Sequence, residues 1–220
     1  MKRTFLLIAL FLMISLASEV KCQDLNQMTP VERGLFLQGY WKYVNPENEE
    51  LLIVKIKALR RKNVNSENPY FYIGSYLYIN NGLMINDNLS ELNPYLMFTT
   101  WKEYCDNQTD DSILAIPYGW MINDLGQIGA RMNFNDHSRL SDGDLVLTIL
   151  SVQSGSEQLS WKLDLGEGVI LIEEQMTDEE IEHQYCSFSV PQNIVLTKIH
   201  NLREFSNRGI ILDPIPEVLE

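Results

Sequence analysis

Three histidines, a set of acidic clusters and a row of tyrosines are the residues of this chain with chemistry to offer. Glu179 and His183 stand at i and i+4, on one face of an expected short helix. A metal site normally needs about three or four convergent ligands, so a solvated amphipathic turn is the simpler reading of that pair. His137 falls in an expected loop and His200 at a strand end. Asn135-Asp136-His137 and Asp142-Gly143-Asp144 gather oxygens of the kind calcium takes, about six to eight at a time. No EF-hand spacing accompanies them, and Asp-Gly is first of all a turn signal. Asp106, Asp110 and Asp111 take the same discount. The acidic run Glu173, Glu174, Asp178, Glu179, Glu180 and Glu182 reads as a solvated surface segment, with steering of a cationic partner as the rival. No G-x-S-x-G elbow, H-E-x-x-H, P-loop or C-x-x-C is present, and no residue is singled out as catalytic, metal-ligating or cofactor-binding.

The most suggestive pattern is the row Tyr70, Tyr72, Tyr76 and Tyr78, broken by Gly74, with Phe71, Ile73, Leu77 and Ile79 between them. On a strand this puts tyrosines on one side and aliphatic side chains on the other. Tyrosine joins apolar area to a hydroxyl that needs a partner, which suits a ligand-binding wall. The structural alternative is a central strand buried on both sides, or an aromatic exterior covered by the tail. Gly74 is a candidate for a bend or bulge.

The elements that would position such residues follow from pattern. Lys2 and Arg3 precede an apolar run from Phe5 to Leu16, and Val20-Lys21-Cys22 leads into polar sequence at Gln23. That is the pattern of a secretory signal peptide over residues 1–22, too short to span a bilayer, which takes about 20 apolar residues. Lipidation at Cys22 is the rival, but Glu19 and Lys21 stand where lipoprotein signals carry Leu and a small residue. Secretion, to the periplasm, cell envelope or beyond, leaves Cys105 and Cys186 as an even pair. One disulfide between them, worth about 4.5 kcal/mol, stands against two buried free thiols. Of 220 residues, 30 are acidic and 17 basic, a net charge of −13 that excludes the electrostatics of a nucleic-acid binder.

Period-two alternation runs through 37–43, 52–58, 128–134 and 159–164, each with one apolar and one wetter face. Further candidate strands are 69–80, 82–87, 95–102, 112–119, 144–152, 168–173 and 192–200. Asn81-Gly82 between two apolar runs is a hairpin signal, while Asp142-Gly143-Asp144 and Ser154-Gly155-Ser156 punctuate later runs. Thr29-Pro30-Val31-Glu32 opens a short helix with a capping box, and Thr177-Asp178-Glu179-Glu180 repeats that pattern. The two sequons at Asn88 and Asn107 would matter only in a eukaryotic secretory pathway and otherwise read as loop polarity.

Leu37-Gln38-Gly39-Tyr40-Trp41-Lys42 sets Gly-x-Trp on a first strand just after a helical turn, an arrangement that resembles the lipocalin and lipocalin-like (calycin) barrels. The overall layout is similar to secreted bacterial lipocalin-like proteins whose domain has no assigned function. The resemblance rests on the leader with its nearby Cys, the Gly-x-Trp strand, Val54-Lys55-Ile56-Lys57, the Tyr-rich strand, Leu159-Ser160-Trp161-Lys162-Leu163 and Leu196-Thr197-Lys198. It implies a barrel closed at one end by Gly39 and Trp41, with Lys198 from the last strand packed over the indole.

The expectation is therefore an all-β antiparallel barrel or closed sandwich of about 8–10 strands with one or two helical turns. A signal peptide (1–22), a lead-in (23–34), the barrel (35–203) and a C-terminal tail (204–220), either a strap or loose, make up the chain. The expected role is non-enzymatic binding of a small apolar or amphipathic ligand or an envelope protein. A secreted hydrolase using rim carboxylates, with or without a metal, is the alternative. A wide apolar interior would favour ligand carriage. An interior plugged by Trp41, Trp161, Phe71 and Phe134 would shift the role to rim and loops.

Overall fold

The computed structural model describes residues 28–60, 70–89, 114–122, 128–136, 141–165 and 188–215. Helix α1 (Pro30–Leu37) starts where the capping box requires. The Thr29 hydroxyl accepts from Glu32 N–H at 3.2 Å, and the Glu32 carboxylate accepts from Thr29 N–H at 2.7 Å. Those bonds hold the Glu32 carboxyl below its usual range. The helix consumes Leu37, so the first strand opens at Gly39 rather than at the expected Leu37.

Among the described residues nine strands follow: β1 (Gly39–Asn45), β2 (Glu50–Arg60), β3 (Tyr70–Asn80), β4 (Leu83–Asp87), β5 (Leu114–Ile122), β6 (Ile128–Asp136), β7 (Ser141–Ser151), β8 (Gln158–Leu165) and β9 (Asn193–Lys198). They form one antiparallel sheet in the order β4-β3-β2-β1-β9-β8-β7-β6-β5. Every pair of chain neighbours but β4 and β5 is joined, and the first and last strands meet in the middle through Trp41 opposite Lys198. The sheet curls into a half-barrel that brings β5, at one end, back against β3, next to the other. Among the described residues no ladder joins β4 to β5. Asn81 and Gly82 turn the β3–β4 hairpin with φ of 50° and 72°, the pair of positive angles that this turn demands.

The concave face is filled by side chains. Trp41, Leu52, Val54, Tyr72, Tyr76 and Phe134 belong to one buried cluster with Leu147, Leu159, Trp161 and Phe188. Phe134 is its centre, with Tyr76, Trp161 and Phe188 rings at 5.3, 5.6 and 5.7 Å. Phe71, expected in this plug, sits on the opposite face of β3, because the tyrosines of alternate parity take the inner side. The convex face of β1–β3 is not wet as the alternation suggested. Residues 199–215 cross it as a strap, burying Ile199, Phe205, Ile210 and Leu212 against Tyr40, Leu51, Ile53 and Leu77. Ile53, Lys55 and Lys57, expected to be the wetter side of β2, are each at most 1 % exposed.

Asp142-Gly143-Asp144 corrects a second expectation, since it lies inside β7 and is paired with Asn135, Phe134 and Asn133. Glycine serves there because a Cβ at 143 would run into the Asp164 carbonyl and the Phe188 ring. Gly74 keeps a regular ladder to Ile56; the irregularity in β3 lies between Tyr78 and Ile79, facing β4.

Candidate functional site

The structure brings Gly39, Trp41 and Lys198 together at the C-terminus of α1. The indole N–H of Trp41 donates to Leu37 O at 2.9 Å, and the Lys198 ammonium donates to Phe36 O at 2.9 Å. Two of the carbonyls that a helix end leaves orphaned are thereby taken by side chains, one carrying the positive charge that the helix dipole favours there. The same ammonium lies 5.1 Å from both the Trp41 and Phe36 ring centroids. Burial pushes the Lys198 amine below its usual range, with the Glu157 charge opposing. Gly39 holds φ at +137°, and a Cβ there would stand 3.0 Å from Lys198 Cε, so glycine lets the lysine lie down over the strand.

All four tyrosines of β3 are buried in the concave cluster. The Tyr76 hydroxyl accepts from Asn86 Nδ2 at 3.0 Å and faces Asp136 Oδ1 at 3.4 Å, while Tyr78 donates to Glu50 Oε1 at 2.7 Å. Asp136, fully buried, also accepts from Ser189 N–H. It therefore ties β3 and β4 to β6 across the gap that no ladder bridges. Replacing Asp136 by alanine is expected to cost about 2 kcal/mol by removing the acceptor of two buried donors, and asparagine about half of that. Urea midpoints of both variants check it, and equal losses would remove the acceptor argument.

Tyr40, Tyr72 and Tyr78 are pushed up from the usual phenol range, by burial first in each case. Asp213 adds its charge at Tyr40, Tyr70 adds at Tyr72, and Glu50 adds at Tyr78. A raised folded value contributes stability that is complete below the unfolded value of about 10 and is lost as pH rises through the raised one. Lys55 and Lys198 are lowered, so their cost fades as pH climbs toward 10.5. The three tyrosines therefore make stability fall cooperatively as pH rises above about 10. Tyrosinate absorbance at 295 nm and far-ultraviolet circular dichroism should change together; complete tyrosine titration with dichroism intact would contradict the burial.

The other candidates do not converge. His200 contacts Glu157 at 2.7 Å on the surface, and Asp144 pairs with Arg131, which lowers its carboxyl. Among the described residues no group of three or more His, Cys, Asp or Glu is placed to hold a metal. Cys22, Cys105, Cys186, His137, His183, the run 173–182, Asp106, Asp110 and Asp111, and the candidate strands 95–102 and 168–173 lie outside the described residues.

Sequence reasoning missed the site that the strap creates. A pocket of about 190 Å³ opens between the strap and the convex face. Tyr40, Lys55, Leu77, Leu89 and Ile210 form its buried floor; Met84, Asp87, Arg208, Ile211 and Asp213 stand exposed around it. The Lys55 ammonium lies 5.4 Å from the Tyr40 ring centroid, and the Tyr40 hydroxyl donates to the Asp213 carbonyl at 3.0 Å. Burial lowers the Lys55 amine and Asp213 partly restores it. The available signal was lysine at alternate positions of an otherwise apolar strand.

The profile of a family of unknown function, DUF6705, matches residues 1–199. The chain belongs to that family. No curated protein and no solved structure matches it. The DUF6705 match takes in α1, the nine described strands and the Trp41–Lys198 contact, whereas strap residues 200–215 lie past it. In this DUF6705 chain the pocket floor is therefore mostly matched sequence, and one wall is not. Among the described residues no helix is long and apolar enough to cross a membrane.

Proposed function

We propose that the protein is a non-enzymatic binding protein of the exported or cell-envelope space, holding a small amphipathic ligand between its sheet and its C-terminal strap. The leader-like first 22 residues support the location, and the curl of the antiparallel sheet is compatible with a lipocalin-like scaffold. The observation that carries the reading is the pocket itself, apolar on its floor around one buried ammonium. The concave face, the usual place for cargo in such barrels, is occupied by Trp41, Trp161, Phe134 and the tyrosines. A volume of about 190 Å³ falls below the roughly 300 Å³ of a drug-sized site and sets the ligand small.

Native mass spectrometry of protein purified from its own host should show a small adduct. Thermal shifts with small amphipaths should raise the midpoint by mass action. Bare protein with no shift from any such compound overturns the reading. Asp87 and Asp213 both line the pocket, which favours the hydrolase as second reading. Turnover of a chromogenic ester or glycoside that Asp213→Asn abolishes would put it first.

A further inference from the structure

We infer that Asn81 is a self-modifying site: the Gly82 backbone nitrogen converts it through a cyclic imide to aspartate and isoaspartate, and the second product loosens β4. The chemistry is independent of what the strap pocket holds. Asn81-Gly82 is the chain's one Asn-Gly pair, and both residues are exposed. No side chain at 82 shields the attacking nitrogen. Among the described residues no hydrogen bond holds Gly82 N–H or the Asn81 carboxamide. Asn45, Asn86 and Asn201 differ, each with its carboxamide engaged in a hydrogen bond.

In the first step the Gly82 nitrogen bonds to Asn81 Cγ, and the Cγ–Nδ2 bond breaks, releasing ammonia that carries off the amide proton. Water then opens the imide. Cleavage between Cγ and the nitrogen leaves aspartate in the original backbone. Cleavage at the main-chain carbonyl carbon leaves isoaspartate, whose main chain runs through Cβ and Cγ and is one methylene longer. Ring closure needs the Asn81–Gly82 peptide to swing out of its left-handed turn, where φ is 50° and 72°. The turn's tie to the neighbouring loop is Asn81 N–H, which donates to Asn48 O at 3.0 Å, upstream of the bond that must rotate. β4 makes the swing easy: it has five residues, is the outermost described strand and is exposed everywhere but at Asn86. The longer main chain does not fit back, because Asn80 opposite Leu83 leaves room for two turn residues of ordinary length. The new carboxylate also meets Glu49, whose Oε2 would stand 2.9 Å from a Cβ on Gly82. β4 carries Asn86 to Tyr76 and Met84 to the strap, so both contacts loosen with it.

The full chain, aged in mildly alkaline buffer and mapped by peptide mass spectrometry, tests the site. Asn81 should be the first asparagine to gain about 1 Da, taking up one heavy oxygen from labelled water. Isoaspartyl methyltransferase should label that peptide. The converted fraction, separated by anion exchange, should melt about 2–4 °C lower than the parent. Asn81→Gly, at ease with positive φ, should age without that loss. Asn81→Asp, with the charge but not the longer backbone, should lose less than the isoaspartate form. Conversion at Asn81 that is absent, or no faster than at other asparagines, overturns the site. Isoaspartate with unchanged melting overturns its effect on β4. A freshly purified Asn81→Asp that melts as low as the isoaspartate form overturns the backbone account.

Discussion

Replacing Trp41 with alanine is expected to cost about 4 kcal/mol, much of the 5–15 kcal/mol that holds a domain of this size. The indole is fully buried at the junction of α1, β1 and β9, so its removal opens a cavity that three elements must collapse into. It also takes the donor from Leu37 O and the ring from under Lys198. Trp41→Phe keeps most of the volume but loses the N–H, and about 1–2 kcal/mol is expected there. Urea unfolding should show a lower midpoint at unchanged slope. A double-mutant cycle with Lys198→Met should reveal coupling of about 1 kcal/mol, because each partner's value depends on the other. Strict additivity of the two substitutions would mean that the ammonium and the indole are neighbours without being partners.

Ending the chain at His200 is the second large effect, on the order of 5 kcal/mol. The strap contributes Phe205, Ile210 and Leu212 to the convex cluster, and a buried side chain of this kind is worth about 1.5–3 kcal/mol. Its loss also uncovers Tyr40, Leu51, Ile53 and Leu77 and leaves Lys42 without the Glu204 partner. The ion pair is half-exposed and adds little; the apolar area decides the result. The truncated chain should bind a hydrophobic dye, melt well below the full chain and lose the small-ligand thermal shift. A truncated chain with unchanged melting and no dye binding would show that the strap merely rests on the sheet. Because the strap carries one wall of the pocket, stability and binding fall together in this variant.

Local patterns foretold much of this molecule because their causes are local. Thr29 and Glu32 cap a helix with atoms three residues apart, and Asn81-Gly82 forces a hairpin through its own backbone angles. Alternation in β1, β2, β3, β6 and β8 set which side chains share a face, so the tyrosine row and the Trp41 strand were visible at once. Alternation does not say which face is covered, or by what. The contact from Tyr40 to Asp213 joins residues 173 positions apart, and no local period records it. For that reason Lys55 and Lys57 read as wet, Phe71 as interior and Asp142-Gly143-Asp144 as a turn, and the pocket was invisible. Sequence alone determined that this chain would be an antiparallel sheet with Gly39 and Trp41 on its first strand. The tertiary structure decided that the concave side would be filled and that a site would form on the other. Burial depends on the segment that returns from far along the chain, and that is a property of the whole fold.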